Sequence, residues 1–160
     1  IRPRTNSGAG FRDSNQRTEL QWPAERSYRP VAYTAATVNW NSNLREAAAM
    51  AKQSGRPMLI KVSAEWCGYC QQMKRETFAD SRVVRDIRRN FVAVDLDADT
   101  NESIVKQLRI TSLPTVLIVS PDLRILAREE GFRTAVQVGK LMHRHMQRAQ
   151  LETGLKVASR

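Results

Sequence analysis

Three short apolar runs, Met58 to Val62, Phe91 to Leu96 and Thr115 to Val119, are separated by stretches whose apolar residues recur at helical spacing. No other feature restricts the fold as strongly. The first run is broken only by Lys61, as expected of a strand buried in the middle of a sheet. Strands joined through a helix pair in parallel and need helices on the sheet faces. Ser120-Pro121-Asp122 is turn chemistry, which predicts that Leu123 to Ala127 returns as an antiparallel neighbour of the third run. Ahead of the first run, Leu44, Ala47, Ala48 and Ala51 mark a helix that Gly55 and Pro57 close. Further helices are predicted to about Phe78, from a restart at Asp80 to Arg89, over Asn101 to Leu108, and from Thr134 to about Gln150. The expected architecture is an α/β fold, a mixed four-stranded sheet flanked by helices with an additional N-terminal helix.

That fold occupies only part of the 160 residues. Residues 1–38 are expected to form a flexible basic leader. Up to about Tyr33 they are rich in Arg, Ser, Asn, Pro and Gly with no sustained apolar period, too little apolar surface to offset the entropy of ordering. The domain is expected at 39–152, with 153–160 as a C-terminal tail. The first residue is Ile rather than Met, and a removed secretory signal or membrane anchor followed by a polar spacer is one account of that beginning. No stretch approaches the roughly 20 apolar residues that span a bilayer.

The formal charge of +10 raises the question of a polyanionic partner. Residues 1–38 hold six arginines against three acids, and the rest hold twenty Lys or Arg against thirteen acids, so the excess is spread along the chain. The densest run, Arg82, Arg85, Arg88 and Arg89, alternates with Val83, Val84 and Ile87 and reads as the solvent face of an amphipathic helix. No zinc-finger or RNA-binding signature accompanies it, and nucleic acid is not the expected partner.

Cys67 and Cys70, the only cysteines, stand two residues apart where the first strand turns into a helix. Both sulfurs can be bridged there without moving the backbone. The first lies near free N–H groups at the positive end of the helix, which stabilise a thiolate. Cys67 is therefore the expected nucleophile, forming a mixed disulfide with a substrate, and Cys70 the resolving thiol. Gly68 and Tyr69 between them tune the balance, and Tyr69 adds no cation. A zinc site would need two more ligands, and His143 and His145, two residues apart on a helix, point in different directions.

Trp66-Cys67-Gly68-Tyr69-Cys70 after a strand, with Leu113-Pro114-Thr115 opening a later one, resembles the thioredoxin superfamily. Trp40, the Ala-rich helix, Gly55-Arg56-Pro57, and Met73 to Phe78 followed by Asp80 resemble its bacterial extracytoplasmic members, over about residues 40–150. The resemblance implies a cis peptide before Pro114, facing the Cys67 sulfur. It also implies a substrate groove in which the Leu113 backbone pairs with an extended segment, Trp66 forms an apolar wall and Gly131 completes the surface.

One departure concerns charge. In many relatives a buried Asp stands six residues before the first cysteine, and often a Lys pairs with it; here those positions hold Lys61 and Asp95. A Lys61–Asp95 pair on neighbouring strands is expected, because either charge alone would be costly to bury, and with it a role in proton handling at Cys70. Trp40 is expected to pack the first helix onto the sheet, and Asp97, Asp99 and Glu102 to cap a helix rather than bind a cation.

The function implied is that of a monomeric thiol–disulfide oxidoreductase needing no cofactor and no metal. It would act on protein disulfides with a redox partner protein, with reduction or isomerisation favoured over oxidation. A peptide-binding or chaperone-like module with incidental redox activity is the alternative. A periplasmic or otherwise extracytoplasmic location is expected, with the cytoplasm as alternative.

Overall fold

The computed structural model describes residues 37–158, with side chains to residue 146; the expected leader up to residue 36 lies outside the described residues. The elements are α1 Leu44–Ser54, β1 Met58–Ser63, α2 Gly68–Glu76, α3 Ser81–Asn90, β2 Val92–Asp97, α4 Glu102–Gln107, β3 Thr115–Val119, β4 Ile125–Glu130 and α5 Ala135–Ala158. The strands form one sheet in the order β2-β1-β3-β4.

β1 pairs in parallel with β2, in a register that sets Lys61 beside Asp95. β3 lies on the other edge of β1 and runs antiparallel to it, and β4 runs antiparallel to β3. The parallel pairing read from the sequence therefore holds for the first strand–helix–strand unit and fails for the second. The reason is length. α4 has 6 residues and advances the chain about 9 Å, whereas a strand of β2's length needs about 20 Å of return. The chain stays at the C-terminal end of β2 and re-enters the sheet from there, running back.

Alternation along β1 sends Met58, Ile60 and Val62 to a core with Ala47 and Ala51 of α1, and Ile104, Val105 and Leu108 of the α4 region pack against it. Leu59 goes to the other face, with Met73 of α2, Val83, Val84 and Ile87 of α3, and Val138, Leu141 and Met142 of α5. Val38 belongs to this second core. Arg82, Arg85, Arg88 and Arg89 are all exposed, as amphipathic spacing requires. Trp40 does not pack α1 onto the sheet; it lies against the opposite core, its ring 5.2 Å from Phe78 in an edge-to-face contact. The Asn41 backbone explains the placement, since it bonds Ala93 and Asp95 on the outer edge of β2 and carries Trp40 over the α2 side.

Two boundaries shift. β4 begins at Ile125 rather than Leu123, because Ser120 accepts from Leu123 N–H and donates to the Arg124 carbonyl, drawing Leu123 and Arg124 into the turn. α5 opens on a reciprocal cap between Thr134 and Gln137 and runs to Ala158. It passes the expected end near Gln150 because the sequence beyond is made largely of good helix formers. Among the described residues no helix is long and apolar enough to cross a membrane.

Asp80 starts α3 by accepting from the N–H groups of Arg82 and Val83, which keeps α2 and α3 separate. Burial opposes its ionisation, but those N–H groups and the Arg82 guanidinium outweigh it and hold the carboxyl below its ordinary 3.8. A carboxyl made more acidic by folding stabilises the fold above its ordinary value, and that contribution is lost as the pH falls through the folded-state value. Asp80→Ala is expected to cost about 1 kcal/mol at neutral pH, measured by urea unfolding. The difference should shrink once the pH drops below 3.8.

Candidate active site

β1 emerges from the core at Ser63, and a turn through Ala64, Glu65 and Trp66 delivers Cys67 as the N-cap of α2. The turn closes when the Cys67 N–H donates to the Ala64 carbonyl at 3.2 Å. Cys67 then plays the part usually taken by Ser or Asp at a helix start: its Sγ accepts from the Cys70 N–H at 3.2 Å. Cys67 and Cys70 form a disulfide with Cα atoms 5.2 Å apart. Both are buried, Cys67 leaving 7% of its surface exposed and Cys70 4%. A sulfur held at this point receives an N–H donor and the positive end of the helix dipole, the setting that favours a thiolate when the bond is open.

Around the sulfurs, residues from separate loops meet the cysteine pair or one another. Ala64 and Leu113 pack against the cysteine pair. The Leu113–Pro114 peptide is cis. The Pro114 carbonyl accepts from the Gly131 N–H at 2.7 Å, which ties the start of β3 to the loop before α5. Thr77 reinforces that loop by donating its hydroxyl to the Arg133 carbonyl at 2.6 Å. Trp66 and Tyr69 stand out into solvent, 72% and 66% exposed, and Gly68 between them is also exposed.

The Trp66 indole is oriented by one bond, its Nε1–H donating to Asp99 Oδ2 at 3.0 Å. Asp99 sits on the β2–α4 turn, where Asp97 Oδ1 accepts from the N–H groups of Asp99 and Thr100. Asp97 thus closes the turn rather than capping α4, whose N-cap Asn101 has no side-chain cap bond, and Asp99 accepts from Trp66 across 33 residues, a link that leaves no signal in local spacing.

Behind the sulfurs a polar cleft of about 510 Å³ is lined by Trp40, Lys61, Ser63, Glu65, Cys70, Lys74, Asp95 and Asp97, among others. Lys61 and Asp95 form the expected pair, Nζ to Oδ2 2.8 Å, and Ser63 donates to the other carboxylate oxygen at 3.3 Å. The Trp40 and Phe78 rings flank the ammonium at 4.6 and 5.5 Å. A larger groove of about 760 Å³ between α3 and α5 contains neither cysteine.

Residues 39–121 match the thioredoxin-like family. Among curated proteins, the thiol:disulfide interchange protein DsbD of Yersinia enterocolitica is 32% identical over 93 residues, covering 55% of this chain and 16% of that protein. The chain thus spans about a sixth of that relative's length. A thioredoxin from Thermus thermophilus superposes with a TM-score of 0.63 at 25% identity, covering 68% of this chain and 86% of the other. The structure described as DsbH oxidoreductase does so with a TM-score of 0.59 at 22% identity, covering 67% and 83%, a likeness of fold.

Gly131 holds its loop with φ +79°, and a Cβ there would meet only Arg133 Nη1 at 3.8 Å, so space is not the constraint. The left-handed backbone is. Gly131→Ala should lower stability by about 1 kcal/mol, seen as a reduced denaturant midpoint, with the Cys67–Cys70 disulfide still formed.

Proposed function

The chain belongs to the thioredoxin-like family, and from that premise we propose that its domain is a thiol–disulfide oxidoreductase acting on protein disulfides. One observation carries the reading: Cys67 Sγ caps α2, accepts the Cys70 N–H, and lies within bonding reach of its partner sulfur. In the dithiol form the Cys67 thiolate attacks one sulfur of a substrate disulfide. A mixed disulfide forms and the other substrate sulfur leaves as a thiolate. Cys70 then attacks Cys67, the Cys67–Cys70 bond forms, and the second substrate sulfur departs. Two electrons have passed to the substrate, and the domain needs a redox partner protein to restore its dithiol. No bound cofactor enters the cycle.

Substrate would lie across Trp66, Leu113, Pro114 and Gly131. An extended chain pairing with the backbone near Leu113 would bring its disulfide to the cysteines, in the manner of an added strand, while the fixed indole of Trp66 supplies an apolar wall. Gly68 leaves the approach open and Tyr69 borders it without adding a cation. Reduction or isomerisation is the favoured direction, because neither Leu113 nor Tyr69 adds a charge that would make the disulfide unusually reactive. The thiol:disulfide interchange protein among its relatives supports a protein redox partner. An extracytoplasmic setting accords with the likeness to bacterial extracytoplasmic thioredoxin-like proteins.

Reduction of insulin by dithiothreitol should be accelerated by the protein, and Cys67→Ser should abolish the acceleration. Cys70→Ser should instead accumulate a mixed disulfide with substrate, visible on non-reducing gels. Retention of full acceleration by Cys67→Ser would sink the enzymatic reading, and peptide affinity without any acceleration would favour a binding module.

A further inference from the structure

Lys61 is the buried charge that the exchange chemistry leaves without a part. Its side chain is 5% exposed, against 35% for Asp95. Trp40 and Phe78 flank the ammonium, and aromatic faces favour a cation beside them. Asp95, held in turn by Ser63, fixes where that cation sits. The cleft that exposes this arrangement also reaches Cys70. Its other charged groups are Glu65 from the β1–α2 turn, Lys74 from α2 and Asp97 from β2; Glu65 and Lys74 are exposed and Asp97 is half-buried. Water screens those groups and much of Asp95 far more than it screens Lys61. Replacing a buried ion pair by apolar residues is often neutral or stabilising, so packing alone gives no reason for a charge beneath α2.

We infer that Lys61 acts as a fixed cation for the resolving cysteine: its field favours the Cys70 thiolate, and Asp95 is the positioning residue that holds it in place. This rests on the dithiol reading above and concerns its second half. In the mixed disulfide Cys70 is a thiol. It loses its proton to solvent through the cleft, and the thiolate attacks Cys67 Sγ. The Cys67–Cys70 bond forms as the Cys67–substrate bond breaks, and the departing substrate thiolate takes up a proton. A nearby cation lowers the cost of the anion on which this step depends.

Reaction of the reduced protein with 5,5′-dithiobis(2-nitrobenzoate), followed by rapid mixing, separates the two halves. The first release of thionitrobenzoate reports attack by Cys67, and the second reports resolution by Cys70. Lys61→Met should move the pH midpoint of the second release upward by about one unit, slowing it about tenfold at neutral pH. Lys61→Gln should do the same, guarding against a folding effect particular to one variant, and Lys61→Arg should restore the profile. Asp95→Asn should move the midpoint down, since it removes an anion and leaves the cation. An unchanged midpoint in both Lys61→Met and Lys61→Gln overturns the inference. So does an upward shift in Asp95→Asn, which would mark the carboxylate as the proton acceptor. Absence of the first release from the unsubstituted protein would instead defeat the dithiol reading itself, and the inference with it.

Discussion

β1 is hydrogen-bonded to β2 on one edge and β3 on the other, and its residues from Met58 to Val62 are buried. A strand in that position has no freedom to slip, because a shift of one residue would exchange every side chain between the two cores. The end of β1 is therefore placed with the rigidity of the whole sheet, and four residues separate it from α2. Cys67 inherits that rigidity. The same strand carries Lys61, so the sulfur at the helix start and the ammonium beneath the helix are held at a separation set by one strand and one turn.

The chemistry and the groove come from different depths of the chain. Cys67, Gly68, Tyr69 and Cys70 are contiguous, and their geometry follows from a local rule about how helices begin. Leu113 packs against the sulfurs only because β3 lies next to β1, and the loop before α5 is tied to Pro114 at the start of that strand. That division decides what a sequence can reveal. The helix start at Cys67 was legible from the strand before it and the spacing of the pair. The neighbouring position of Lys61 and Asp95 came through likeness to a family, to which reading the first two apolar runs as parallel strands added plausibility. The expectation of a groove at Leu113, Pro114 and Gly131 rests only on likeness to a family, since nothing near Leu113 or Gly131 in the chain points toward the cysteines.

The misread features have physical causes of the same kind. The direction of β3 depends on the shortness of α4, a difference of about ten ångströms in chain advance that periodicity does not register. Spacing links Trp40 to the helix that follows it, although the backbone of Asn41 turns it to the other face. Apolar residues at a boundary can serve either core, and only the edge pairing of β2 decides. The Trp66–Asp99 bond joins two loops that are brought together only when β1 and β2 pair.

Recessed sulfurs between exposed rings impose a condition on any substrate. Thiol–disulfide exchange replaces one sulfur–sulfur bond by another and supplies little driving force beyond the difference in redox poise. Reaching Cys67 then depends on binding energy gathered elsewhere on the surface. Trp66 and Tyr69 leave most of their area to solvent, a cost that is recovered only when a partner covers them. Asp99 holds the indole in place before a partner arrives, so less side-chain freedom is lost on contact. A folded protein with an interior disulfide could not meet both demands. Under the proposed function, an exposed, extended segment that carries its disulfide past Pro114 while covering Trp66 would meet them, and shape would then select substrates more than thiol reactivity does.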